Sequence, residues 1–167
     1  MEISSLRHEE NASELREEFA LDVLTGLCHA EKSLSTKYFY DDIGSDLFQK
    51  ITQHGDYYLS RAEFDILEDS KHKIAKLIKE NEVDLIELGA GDGHKSELLI
   101  DGLLANGKKV NYFPIDISHE AMNQMNALIQ ERDDLDIHGV VADYLDGLKF
   151  LKEKSNKRKI VLFLGSN

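Results

Sequence analysis

The chain is poor in several features, and each shortage excludes something. It has a single cysteine, Cys28, so no internal disulfide can form, and one free thiol suits a reducing compartment. Its seven histidines are scattered, with no H-x-H or H-x-x-x-H pair, which gives a metal centre no support. No apolar run approaches the roughly 20 residues that span a bilayer. The start, Met1-Glu2-Ile3-Ser4, has no basic region followed by an apolar stretch, so no signal peptide is read and a cytoplasmic location is expected. Positive charge is also short. Lys plus Arg is 20 against 32 for Asp plus Glu, a net −12, and such a chain repels nucleic-acid phosphate. No nucleic-acid or membrane partner is therefore expected.

What is present suits one globular domain. The 167 residues are 41 % apolar, enough for a core. Residues 1–10 are polar and expected to be loose. Asn11 and Glu14 have capping-box spacing, and Leu15, Phe19, Val23, Leu24 and Leu27 recur at helical spacing to about residue 29. An aromatic-rich irregular stretch follows, Lys32 to Asp42. Gly44-Ser45 can start a short helix carrying Phe48 and Ile51, and Gly55-Asp56-Tyr57-Tyr58 reads as a loop. Ser60 with Glu63 has capping-box spacing and Leu59 with Phe64 staple spacing, opening a helix that runs to about Lys79. Residues 1–80 therefore read as a helical segment without strands.

From residue 81 the pattern changes. Apolar runs at Val83–Leu88, Val110–Ile117, Ile137–Ala142 and Ile160–Leu164 alternate with helical patterns, the second of them capped by Ser118. Alternation of this kind predicts an α/β fold with a doubly wound parallel sheet over residues 81–167. Ile160–Leu164 is apolar on both faces, like a strand at the centre of such a sheet. A central strand needs two neighbours, so the chain is expected to be the N-terminal part of a longer protein. The alternative is an edge strand covered by a helix or by a second copy of the chain.

The chemistry gathers where apolar runs end. The first ends in Glu87-Leu88-Gly89-Ala90-Gly91-Asp92-Gly93. Glycines there permit a tight turn and close approach of a ligand, and the following helix start favours an anionic group. A dinucleotide fingerprint would need glycine at position 94, where this chain has His94. The alternative is a turn that merely needs glycine. The second run ends at Asp116, whose carboxylate can accept from a ribose diol, and the third at Asp143-Tyr144, an acid and a ring that can meet an adenine. Either acid can instead serve the helix start that follows it. Lys95 can pair with a ligand carboxylate or simply be solvated. The cluster Lys152, Lys154, Lys157, Arg158 and Lys159 has little aromatic interleaving and reads as a solvated helix end.

Glu87-Leu88-Gly89-Ala90-Gly91, Asp116 and Asp143-Tyr144 resemble the cofactor motifs of class I S-adenosylmethionine-dependent methyltransferases, which have a Rossmann-like sheet. The N-terminal half narrows the resemblance. Lys32 to Asp41, Gly44-Ser45-Asp46-Leu47-Phe48, Ile51-Thr52, Asp56 to Glu63, Gly91 to Lys95 and Phe163 to Asn167 are similar to the histidine-specific N-alpha-methyltransferase family, which makes trimethylhistidine for ergothioneine. Gly55-Asp56 stands where that family often has Pro-Glu.

The resemblance implies S-adenosylmethionine as cofactor and a small amino acid as acceptor. Gly89, Gly91, Gly93 and Lys95 would lie at the cofactor, with Gly89 and Lys95 on its methionine part. Asp116 would hold the ribose, and Asp143 with Tyr144 the adenine. Tyr40 and Tyr57 would close over the acceptor, with Tyr57 its contact. The resemblance assigns no catalytic residue within this chain. It implies a strand order with the fourth strand at an edge, where self-association is expected, and a chain inactive alone. Two other readings stay open: a cofactor-binding or interaction module without catalysis, and a nucleotide-dependent oxidoreductase, which His94 counts against.

Overall fold

The computed structural model describes residues 1–6, 12–39, 41–152 and 154–164. The elements are β1 (Glu2–Ser5), α1 (Ala12–Cys28), a single 3₁₀ turn (Thr36–Phe39), α2 (Asp42–Thr52) and α3 (Leu59–Leu77). They continue with β2 (Glu82–Leu88), α4 (His94–Ala105), β3 (Lys109–Asp116), α5 (His119–Leu128), β4 (Leu135–Val141), α6 (Tyr144–Lys152) and β5 (Arg158–Leu162). All strand pairings are parallel, in the order β1-β4-β3-β2-β5.

The sheet forms where the apolar runs predicted it, with helices packed on both of its faces. Val83 and Leu85 join Val110, Tyr112, Leu135 and Ile137 on one face, against Ala75, Ile100, Leu103, Met122, Met125 and Ile129 from α3, α4 and the α5 region. Ile86, Ile115 and Val140 line the other face, against Leu148 and Leu151 of α6. A strand flanked by helices on both sides is covered at consecutive positions, and β2 is buried from Val83 to Glu87, its acids Asp84 and Glu87 included. Ser118 caps α5 by accepting from the Ala121 N–H at 3.1 Å, as its position predicted.

Three expectations change. Residues 1–10 are not uniformly loose, and residues 1–80 are not free of strand: β1 lies beside β4, pairing Glu2 with His138 through Ser5 with Val141. Four residues give no periodicity to read, and the partner that supplies their hydrogen bonds lies more than a hundred positions away. Met1 adds to the core beneath it. Second, α2 starts before Gly44, because the Asp41 side chain accepts from the Gly44 N–H at 2.7 Å and caps the helix. Third, Ser60 and Glu63 make no capping box. Tyr58 is the N-cap of α3, without a side-chain hydrogen bond. The Asn11–Glu14 box lies outside the described residues.

β5 sits at the sheet edge and pairs only with β2 among the described residues. Its apolar character is thus left half in solvent, with Val161 50 % and Phe163, just beyond it, 65 % exposed. Unpaired edges carrying apolar side chains are templates for further strand pairing. The 167-residue chain is accordingly expected to bind a hydrophobic dye and to show concentration-dependent association in light scattering. A monodisperse monomer without dye binding would show that this edge is not sticky.

Candidate functional site

β2, β3 and β4 bring their carboxyl ends to one side of the sheet, and a cavity of about 510 Å³ opens there. That is the size range of small-ligand sites, and its position is where open α/β sheets bind ligands. The loop after β2 forms its floor. Gly89, Gly91 and Gly93 all have positive φ, at 70°, 56° and 81°. The loop is tied down by the Gly89 N–H, which donates to the Ile115 carbonyl at 2.9 Å, and by the Gly93 N–H, which donates to Ala90 at 3.2 Å. Gly89 and Gly91 line the cavity, whereas Gly93 is buried behind the loop, facing Met125 and Ile129.

Asp116, at the end of β3, lines the cavity and grips the loop. One carboxylate oxygen accepts from the Gly91 N–H at 3.1 Å and the other from the Ser118 N–H at 2.9 Å. Burial raises its pKa, and the backbone bonds from Ser118, Gly91 and Ile117 oppose that rise. A carboxylate oxygen can accept twice, so each bond leaves capacity for a ligand hydroxyl. Asp143 and Tyr144, after β4, line the same cavity. One Asp143 oxygen accepts from the N–H groups of Leu145 and Asp146 at 2.8 and 2.9 Å, so Asp143 does serve the start of α6 while facing the cavity. Tyr144 stands edge-on to Phe163 at 5.9 Å.

The opposite wall comes from the N-terminal half. Ser45, Phe48, Gln49 and Thr52 of α2 line it, at the i, i+3, i+4, i+7 spacing of one helix face. Ser35, Thr36 and Lys37 add to it, held by the Lys37 ammonium between Glu18 at 2.6 Å and Asp22 at 2.9 Å. These partners raise the Lys37 pKa, Glu18 foremost. The Tyr38 hydroxyl donates to Asp22 at 2.7 Å, so α1 anchors the turn that borders the cavity. Lys95 also lines the cavity, with its ammonium 3.0 Å from Glu63 of α3. Tyr57 packs edge-on against the lining residue Phe48 at 6.3 Å without itself lining the cavity, and Tyr40 lies outside the described residues.

One buried acid had no role in the sequence reading. Glu87, 2 % exposed, accepts from the Ser96 hydroxyl of α4 and the Tyr112 hydroxyl of β3. Burial pushes its pKa up to about 7, against the hydroxyl bonds that favour its charge. It lies beneath the glycine loop and ties α4 to the sheet. Among the described residues there is no group of three or more His, Cys, Asp or Glu able to hold a metal, and no helix is long and apolar enough to cross a membrane.

Comparison with known proteins bears on this geometry. The model of a family described as histidine-specific, SAM-dependent methyltransferases matches residues 19–167. A histidine N-alpha-methyltransferase of Mycobacterium tuberculosis is 34 % identical over 146 residues, covering 87 % of this chain and 44 % of the relative. The protein of that name from Mycolicibacterium smegmatis is 35 % identical over 147 residues, with the same coverage of 87 % and 44 %. Ergothioneine biosynthesis protein 1 of Neurospora crassa is 34 % identical over 138 residues, covering 81 % of this chain and 16 % of the relative. The chain thus spans less than half the length of these curated relatives.

Proposed function

The chain belongs to the SAM-dependent, histidine-specific methyltransferase family, and from that premise we propose that its cavity binds S-adenosylmethionine for methyl transfer to the alpha-amine of histidine. The observation that carries this reading is the convergence on one cavity of Gly89, Gly91, Asp116, Asp143 and Tyr144, from the ends of three adjacent strands. The residues fit such a ligand. The left-handed glycines keep the loop free of side chains where a ligand would rest, and Asp116 can accept from ribose hydroxyls. Asp143 and Tyr144 offer an acceptor and a ring face to an adenine, and Lys95 a cation to an amino-acid carboxylate. Acids at the site also suit a positively charged ligand.

When bound, S-adenosylmethionine would supply a methyl group activated by its sulfonium for transfer to a neutral amine. The protein's part is alignment and exclusion of water, since a well-oriented pair gains about 7–11 kcal/mol of barrier. Asp116, Asp143 and Lys95 would fix the cofactor at three separated points. The α2 face and the 35–37 segment would form one wall of the acceptor space, and Tyr57, packed against Phe48 of that wall, is proposed as an acceptor contact on the family resemblance. Tyr40 is proposed as a second hydroxyl on the acceptor, on the family resemblance alone. Residues that complete the acceptor wall would come from the length that the relatives have and this chain does not span.

The test has two arms. Calorimetry should show S-adenosylhomocysteine binding to the 167-residue chain and no binding of NAD. Asp116→Ala should weaken the adenosyl ligand by about 1–3 kcal/mol, the cost of leaving buried hydroxyls poorly paired. Equal affinity in the variant would remove Asp116 from the site. Mass spectrometry of histidine incubated with cofactor and a protein of the relatives' full length should show methylated histidine. Cofactor binding without that product would point to a different acceptor.

A further inference from the structure

Lys95 reaches the cavity from the first turn of α4, and a carboxylate of another element holds its ammonium. Its ammonium lies 3.0 Å from a carboxylate oxygen of Glu63, in the first turns of α3 and 32 positions earlier. Both side chains are mostly covered, at 28 % and 25 % exposure, so solvent screens the pair less than it would a surface pair. Ser60 and Phe64, which flank Glu63 on α3, line the cavity, as does Lys95, whereas Glu63 stands behind them. Glu63 thus faces the site through Lys95.

We propose that Glu63 is a positioning residue for Lys95, holding its ammonium ready to receive the carboxylate at the amino-acid end of the ligand. A lysine has a long flexible stem and a point charge, so an unguided ammonium samples many positions. A charge-assisted bond to Glu63 fixes the stem and holds the positive charge at the cavity wall, where it attracts an anion. The same pair joins the first turns of α3 to the first turn of α4, next to the glycine loop. The N-terminal helices, which wall the acceptor side, and the cofactor's amino-acid end are thereby set by one contact. The Ser60–Glu63 capping box does not form because α3 starts at Leu59 and Ser60 is already inside it, which leaves the Glu63 carboxylate to the Lys95 ammonium. The inference rests on the cofactor reading given above.

Two ligands separate the possibilities: S-adenosylhomocysteine, which has the amino-acid end, and 5′-methylthioadenosine, which lacks it. In calorimetry of the 167-residue chain, Glu63→Gln should bind S-adenosylhomocysteine about tenfold more weakly, the scale of one charge-assisted hydrogen bond. Its affinity for 5′-methylthioadenosine should be unchanged, which also reports that the variant is folded. Glu63→Asp should recover part of the loss. Combining Glu63→Gln with Lys95→Met should be no worse than Lys95→Met alone, because Glu63 acts only through Lys95. Equal weakening of both ligands, undiminished binding of S-adenosylhomocysteine, or additive losses in the double variant would each overturn the positioning role. If neither ligand binds the unmodified chain, the cofactor reading itself fails, and Glu63's role fails with it.

Discussion

Gly93→Ala is expected to remove a large fraction of the chain's folding stability. Two costs fall on the same atom. The position has φ +81°, in the left-handed region where a Cβ costs roughly 1–2 kcal/mol. A methyl built there would meet Met125 Cγ at 2.7 Å and Ile129 Cδ1 at 3.0 Å, both in the core beneath α5. Overfilling a packed core costs about 1–3 kcal/mol more. The total, about 2–5 kcal/mol, is a large fraction of the margin by which domains are stable, roughly 5–15 kcal/mol. Denaturant titration followed by circular dichroism measures it directly. A change under about 1 kcal/mol would mean that the loop rebuilds easily.

Gly91→Ala is the natural control, since it shares the backbone conformation but not the contact. Its φ is +56°, yet a Cβ there would meet nothing within 4 Å. Stability should fall only by the backbone cost, while the new methyl enters the cavity that Gly91 lines. The two glycines, two residues apart in one motif, therefore divide the work: Gly93 lets the loop sit on α5, and Gly91 leaves the cavity floor bare. A sequence reading places both at the cofactor, because spacing does not say which way an absent side chain would point.

The same limit explains what else was and was not legible. β2 to β5 were readable because each carries a short apolar run, with a glycine or an acid at its end, set between helical patterns. Their order was readable only through the family resemblance. β1 was not, since its four residues owe their form to hydrogen bonds with β4. Asp116, Asp143 and Tyr144 were found because strand ends of a parallel sheet lie together whatever the details of the loops. The α2 wall carried a signal, the helical spacing of Ser45, Phe48, Gln49 and Thr52, but such a stripe looks like any helix face until its neighbours are known. The capping-box spacing of Ser60 and Glu63 is local and misplaces the helix start, which lies at Leu59, and the contact of Glu63 with Lys95, 32 positions on, has no local signal. Glu87 looked like part of a loop motif. Its partners, Ser96 and Tyr112, are reached only when α4 has folded over the sheet and β3 has paired in register.

Glu87 gives the second large effect, a dependence of stability on pH. Its folded carboxyl titrates at about 7, against an ordinary 4.5. Between those values the folded chain keeps a proton that the unfolded chain has released. Stability from this group is therefore highest below pH 4.5, falls as pH rises through the interval, and is fully lost above 7. The loss is on the order of 3 kcal/mol at the upper end. Burial is the main cause, with Lys95 drawing the pKa down and Asp116 pushing it up. Glu87→Gln cannot ionise, and its amide can accept from one hydroxyl and donate to the other, so the contacts with Ser96 and Tyr112 can persist. The variant should match the unmodified chain in denaturant midpoint near pH 5 and exceed it near pH 8. The difference between the two curves isolates Glu87 from Asp116, whose raised pKa acts in the same direction in both chains. Parallel curves across that range would show that the carboxylate is stabilised where it lies, by solvent or by a shift of Lys95 toward it. A variant weaker than the unmodified chain at pH 8 would show that the ionised carboxylate, held by two hydroxyl donors, anchors α4 to the sheet more firmly than its desolvation loosens it.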